Sequence, residues 1–311
     1  MRWTYLVGFS VSALLAVACG SDDDDSGGNT GGTAGTGGAT GGAGGTSGSA
    51  GGGATGGSSG SAGSAGSAGV GGAAGMSKLR VAHLTPDAPA VDVCVDGGSG
   101  FTGPVLKGAG DTDGLAYSEV TDYLDLPSGS YNVRIVAPNA DNCDTALAGL
   151  PDITGLALAK DQAYTAAATG MLTPPSGTKP FKVEAYADTI TATNAAKIYI
   201  RFIHASADTP AVDVGLGSGA SFTPLWTSVE FPKVGQVAGN DYVETDPVTG
   251  ATISARASGT TADALVLNNI DIPAGAVVTA FAIGNLGGTP QPLKALVCVD
   301  SAATSSCNVL P

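Results

Sequence analysis

The residues best suited to chemistry sit in two windows that repeat one another. Arg80-Val-Ala-His83-Leu-Thr-Pro-Asp87-Ala-Pro89-Ala-Val-Asp92-Val93 returns as Arg201-Phe-Ile-His204-Ala-Ser-Ala-Asp208-Thr-Pro210-Ala-Val-Asp213-Val214, without a gap and with eight of fourteen positions identical. Each window supplies one imidazole and two carboxylates: His83 with Asp87 and Asp92, then His204 with Asp208 and Asp213. A neutral imidazole beside carboxylates suits a divalent cation or an acid–base pair. The same residue types also serve structure, because an aspartate near a proline can cap its own turn and a histidine at a strand end can bond the next one. The structural use is the expectation for all six, which stand as the metal candidates of the chain.

Other constellations are thinner. Asp111-Thr-Asp113-Gly114 with Glu119 supplies part of a calcium loop but lacks the third ligand before the glycine and the flanking helices, so calcium is the one cofactor considered. Gly98-Ser99-Gly100 and Gly217-Ser218-Gly219 follow strands with no helix behind them, unlike a nucleophile elbow. With one histidine per window, a zinc-protease site does not form within either copy. Carboxylates are plentiful enough for glycoside cleavage, but their pairing in space is not legible here. No catalytic residue is assigned.

The elements that position these residues are strands. Val91, Val93 and Val95 alternate with Asp92, Cys94 and Asp96, which puts the valines on a buried face and the polar residues outside. Leu126-Pro-Ser-Gly-Ser-Tyr131-Asn-Val133-Arg-Ile135 is a turn followed by an alternating strand. Helical periodicity is weak, and Gly and Pro punctuate the chain at the spacing of a β-sandwich.

The repeat continues beyond the windows. Asp122-Tyr123-Leu-Asp125 answers Asp241-Tyr242-Val-Glu244; Thr165 with Gly170 answers Thr279 with Gly284; Phe181-Lys182 to Asp188 answers Leu293-Lys294 to Asp300. Offsets between equivalent residues run from 112 to 121, a normal domain size. The expected organisation is a signal peptide over 1–18, a lipidated cysteine and tether over 19–77, one sandwich over 78–190 and a second over 197–311.

Four cysteines follow Cys19, an even number that implies two disulfides in an exported chain. Of three connectivities, Cys94–Cys143 with Cys298–Cys307 keeps each bridge inside one copy and is the expected one. Cys94, on the face of its strand away from the valines, would pin a loop over the sheet, whereas copy two has Gly215 there.

The motif H-x-[ST]-x-D-x-P-A-V-D-V, followed in copy one by Tyr-Leu-x-Leu-Pro-x-Gly-x-Tyr-x-Val over Tyr123 to Val133, resembles the bacterial domain of unknown function numbered 4397. Copy two departs from it after Tyr242, where Thr245-Asp-Pro-Val-Thr-Gly250 replaces the Leu-Pro-x-Gly turn. The resemblance implies an all-β fold of two tandem immunoglobulin- or transthyretin-like sandwiches on an exported protein, and the glycine-rich tether before them looks like those of myxobacterial lipoproteins. It implies no activity.

The N-terminus supplies an address. A short apolar stretch after Arg2 ends in Leu15-Ala-Val-Ala18-Cys19, which reads as a lipoprotein signal with Cys19 acylated; the Ala-Val-Ala triplet alternatively suits ordinary secretion. Gly20 after the cysteine favours the outer membrane. About half of the chain's 49 glycines then fall between Gly20 and Gly75, with no Leu, Ile, Phe, Tyr or Trp, a composition expected to form a disordered tether of roughly 40 Å r.m.s. span. The net charge of −14 argues against nucleic acid as a partner. The expected function is a lipid-anchored, surface-displayed pair of sandwiches for non-catalytic binding or adhesion to an unknown glycan or protein. The alternatives are a structural envelope component without a ligand and a hydrolase of extracellular polymer.

Overall fold

The computed structural model describes residues 75–148, 150–301 and 306–311, so the signal peptide, Cys19 and nearly all of the tether lie outside the described residues. The described chain is all-β: strands joined by turns and loops make up nearly all of it. Copy one holds β1 (Met76–His83), β2 (Asp92–Asp96), a single helical turn α1 (Val105–Gly108), β3 (Leu124–Pro127), β4 (Gly129–Val136), β5 (Ile153–Leu158), β6 (Ala163–Thr169) and β7 (Lys182–Asp188). Copy two holds β8 (Ile198–His204), β9 (Val212–Leu216), β10 (Thr223–Val229), β11 (Val243–Thr245), β12 (Val248–Ala257), β13 (Asp263–Ile272), β14 (Val277–Ile283), β15 (Lys294–Val299) and β16 (Ser306–Leu310). The first strand starts inside the expected tether, because Met76 pairs with Pro127 and the Ser77 hydroxyl donates to the Leu126 carbonyl.

Four sheets stack in order. An outer sheet β2-β4-β5 faces an inner sheet β3-β1-β6-β7; a second inner sheet β11-β8-β14-β15-β16 faces a second outer sheet β10-β9-β12-β13. Each inner sheet has one parallel pair, β1 with β6 and β8 with β14, whose registers match across the copies: Arg80 opposes Thr165 as Arg201 opposes Thr279. Three apolar layers lie between the sheets. Leu79, Leu156 and Ala166 fill copy one, while Phe202, Trp226 and Val214 fill copy two. The middle layer is shared: Ala82, Leu84 and Ala167 of copy one pack on Ile203, Phe281 and Leu296 of copy two.

That shared layer explains the weak alternation of several strands. A strand buried on both faces reads as an unbroken apolar run, and Val277–Ile283 is buried at six of its seven positions. Only the outer strands keep clear alternation. Even there the polar face is covered: Asp92 and Cys94 are fully buried, contrary to the expectation that they face outward, because α1 and the Cys143 loop close over β2. The disulfides join Cys94 to Cys143 and Cys298 to Cys307.

The copies differ where one has α1 and the other has β10. Strand β10 pairs with β9 and brings Trp226 into the core. Gly215 makes this possible: a Cβ there would lie 2.1 Å from the Thr223 carbonyl oxygen and 2.6 Å from the Pro224 Cα. Gly215→Ala is expected to push β10 outward and cost about 1–3 kcal/mol, the usual penalty for overpacking. A urea melt followed by Trp226 emission checks it, since Trp226 is the only tryptophan besides Trp3. After Tyr242 the departure in sequence is absorbed locally, since β12 takes the place of β4 with register shifts near Ala251.

Candidate functional site

The structure does not gather the histidine–aspartate sets around a common point. Asp87 accepts from the backbone N–H groups of Leu172 and Thr173 at 2.9 and 2.8 Å, and Asp208 does the same with Leu286 and Gly287 at 2.7 and 3.1 Å. These carboxylates tie the motif loop to the loop that follows β6 or β14. Asp92 accepts from Leu106 and Lys107 at the start of α1, whereas Asp213 accepts from Ser228 and Gly259. The acidic loop of copy one is engaged likewise, with Asp111 accepting from Asp113 and Gly114, and Glu119 from Ala116. Among the described residues no three His, Cys, Asp or Glu side chains form a group that could hold a metal ion.

Both imidazoles are buried at the end of the strand that carries their arginine. His83 Nε2 lies 2.9 Å from the Pro89 carbonyl and His204 Nε2 lies 3.0 Å from that of Pro210. A carbonyl only accepts, so each Nε2 carries the proton. His204 Nδ1 accepts from the Ser206 N–H, which requires the neutral ring. Burial pushes both pKa values below the usual histidine value. The unfolded chain then binds more protons than the folded one below about pH 6.5, so stability present above that pH is lost as pH falls. The urea midpoint is expected to drop between pH 7 and pH 5, by at most about 1.4 kcal/mol per pH unit for each histidine. His204→Gln should flatten that slope; an unchanged slope would mean the rings are not buried neutral.

A second cluster was spelled out by the repeat but not recognised as a unit. Arg80, Tyr123, Thr165 and Asp188 of copy one meet Arg201, Tyr242, Thr279 and Asp300 of copy two in the middle layer. The charges cross between copies. Arg80 Nη2 donates to Asp300 at 2.6 Å and Arg201 Nη2 donates to Asp188 at 2.5 Å, with all four side chains excluded from solvent. Within each copy the arginine Nε donates to its own threonine, Thr165 or Thr279. The tyrosines close the set: Tyr123 OH donates to Asp188 and Tyr242 OH to Asp300, while each ring lies under its own arginine at 4.8 and 4.6 Å.

Burial works against both charges but is outweighed, so both pKa values rise: Asp300 and Asp188 raise that of Arg80, and Tyr242 with Asp188 and Asp300 raises that of Arg201. Burial also pushes the Asp300 carboxyl up, and Arg80 and Thr279 pull it back only part of the way. The network has nearly twofold symmetry and nearly complete satisfaction; Arg80 Nη1 alone lacks a partner, where Arg201 Nη1 finds the Ala187 carbonyl. Its chemistry is cohesion. It locks the copies in one orientation.

That orientation opens a groove of about 460 Å³ along the seam. Residues 184–187 of β7 form one wall; Pro232, Val234, Gln236 and Asp241 of copy two form the other. Tyr186 OH donates to the Pro232 carbonyl at 2.7 Å, joining the walls, and Gln236 donates to Asp241. Strand β7 is the edge of its sheet. Nothing in the sequence pointed to this groove, because its walls lie in different copies.

Compared with known proteins, residues 77–215 match the family model described as a domain of unknown function, DUF4397. The match covers all of copy one and reaches through β8 into β9 of copy two. No curated protein matches the chain.

Proposed function

We propose that this chain is a lipid-anchored protein of the outer membrane that displays its two sandwiches outside the cell as a rigid, non-catalytic binding module. The observation that carries the reading is the seam groove, a concave surface built jointly by both copies, which buried ion pairs fasten together. The histidines and aspartates that suggested catalysis or cations are engaged with backbone groups, so they serve the scaffold that shapes this surface. Support for anchoring comes from the sequence, from Cys19 behind its apolar stretch and the glycine-rich tract after it.

Three measurements test the proposal. Radiolabelled palmitate should enter the wild-type chain and not Cys19→Ala, and external protease should remove the chain from intact cells. A chain protected until the outer membrane is broken would overturn display. Adhesion of cells to protein or polysaccharide surfaces should fall on deletion and return with the full chain. Adhesion indifferent to deletion, with an envelope defect instead, would favour a structural role.

A further inference from the structure

The interior of copy one holds a space that copy two has filled. Between the inner strands β1, β6 and β7 and the outer strands β2, β4 and β5 lies a cavity of about 40 Å³. Val81, Val91, Val93 and Ala168 line it, and the repeat sets them against Phe202, Val212, Val214 and Ala282. Those four residues of copy two belong to one apolar cluster together with Trp226. Three of the four positions carry the same residue in both copies; the fourth is valine in copy one and phenylalanine in copy two. The Phe202 and Trp226 rings lie 5.9 Å apart, and Trp226 comes from β10, the strand whose place α1 takes in copy one. Two aromatic rings therefore occupy in copy two the place that copy one keeps open.

Voids larger than a water are few in a close-packed domain, and their walls decide what they hold. The walls here are aliphatic, completed by residues such as Val133 and Leu156. The backbones of the surrounding strands pair with one another in the ladders β1–β6, β6–β7, β2–β4 and β4–β5. His83 is the one lining residue with polar side-chain atoms, and its Nε2 is held by the Pro89 carbonyl. A water placed in the cavity would lack the two to four partners, roughly, that hold a buried water, so the cavity is dry. Size narrows the occupant further. A water-sized group needs about 10–15 Å³ by the same measure, so the space suits roughly three heavy atoms.

We infer that this cavity is a ligand site, separate from the seam groove, for a small apolar molecule without hydrogen-bonding groups. The class is a hydrocarbon of about three carbons, or an apolar body of that size such as a xenon atom. The ligand takes the place that the chain's own aromatic rings take in copy two.

The test uses the full chain as Cys19→Ala, free of detergent that would dissolve the probe, with its valine and alanine methyl groups labelled for NMR. Xenon under pressure should shift the methyls of Val81, Val93, Val133 and Ala168 along one saturating curve and leave Val212, Val214 and Ala282 in place. Propane should displace xenon, whereas ethanol, with as many heavy atoms, should not. Val81→Phe installs the copy-two residue and should abolish the saturable shifts. Should that variant fail to fold, Val133→Ile adds a single methylene to the lining and should weaken them. Phe202→Val should open a second site beside Trp226, read as new shifts at Val214 and Ala282. Shifts that grow linearly with pressure, spread equally over both copies, or survive both lining variants would overturn the site. Tighter binding of ethanol than of propane would mean that His83 Nδ1, which has no partner, accepts from the ligand, and would overturn the apolar assignment.

Discussion

Replacing Arg201 with methionine is expected to destabilise the chain by about 3–5 kcal/mol, the cost of leaving a buried charge without its partner. Methionine keeps much of the arginine's length, so the loss is electrostatic rather than a cavity. Arg201 is 1% exposed and makes its bonds to Asp188, the Ala187 carbonyl and Thr279 inside the middle layer. Without it, Asp188 keeps Thr165 and Tyr123 as donors but only a distant guanidinium, Arg80 Nε at 3.8 Å. For a folded part of this size the melting temperature should fall by roughly 6–20 °C. Arg80→Met should cost less, because Arg80 makes no bond through Nη1. Removing both partners, Arg201→Met with Asp188→Leu, should recover much of the loss, since a buried pair exchanged for apolar groups is often close to neutral. Urea melts read each variant, and adding Asp188→Leu alone completes the double-mutant cycle for the Arg201–Asp188 pair. A single-variant loss below about 1 kcal/mol, the level of an exposed pair, would contradict the burial of the network.

The sequence made some of this legible and hid the rest for physical reasons. Val91, Val93 and Val95 alternate because β2 lies in an outer sheet with one apolar face. Strands β8 and β14 do not alternate, since the shared layer buries their second face, and so two sandwiches could be read but not their fusion. The disulfides followed from keeping each bridge within a copy. The arginine, tyrosine, threonine and aspartate of the network all recur in the repeat, yet alignment sets Asp188 against Asp300 and cannot say that each serves the other copy's arginine. Strand β10 escaped because copy one has α1 in its stead, leaving nothing to compare. The groove escaped for a related cause: the repeat marks what the copies share, and the groove is where they differ, with β16 on one edge and, among the described residues, no counterpart on the other.

Separating the copies is expected to abolish independent folding. A fragment of residues 75–190 would expose Ala82, Leu84, Ala167 and Tyr186 and strand Arg80 and Asp188 without their partners across the seam. A fragment of residues 191–311 would expose Ile203, Phe281, Ile283 and Leu296 and strand Arg201 and Asp300. At about 1.5–3 kcal/mol for each large apolar side chain, the apolar part of the seam alone is worth on the order of 10 kcal/mol. That is an upper estimate, because part of each side chain stays covered by its own copy. It still equals the whole stability of an ordinary domain, about 5–15 kcal/mol. The disulfides do not rescue the fragments, because each bridge lies within one copy and neither spans the seam. Each fragment alone should bind a hydrophobic dye and show no cooperative melt, and the second should show red-shifted Trp226 emission. Mixed in equal amounts, the two should form a one-to-one complex in which that emission returns to the blue. Cooperative melting of either fragment within a few degrees of the full chain would mean that the two copies are neighbours rather than halves of one folded unit.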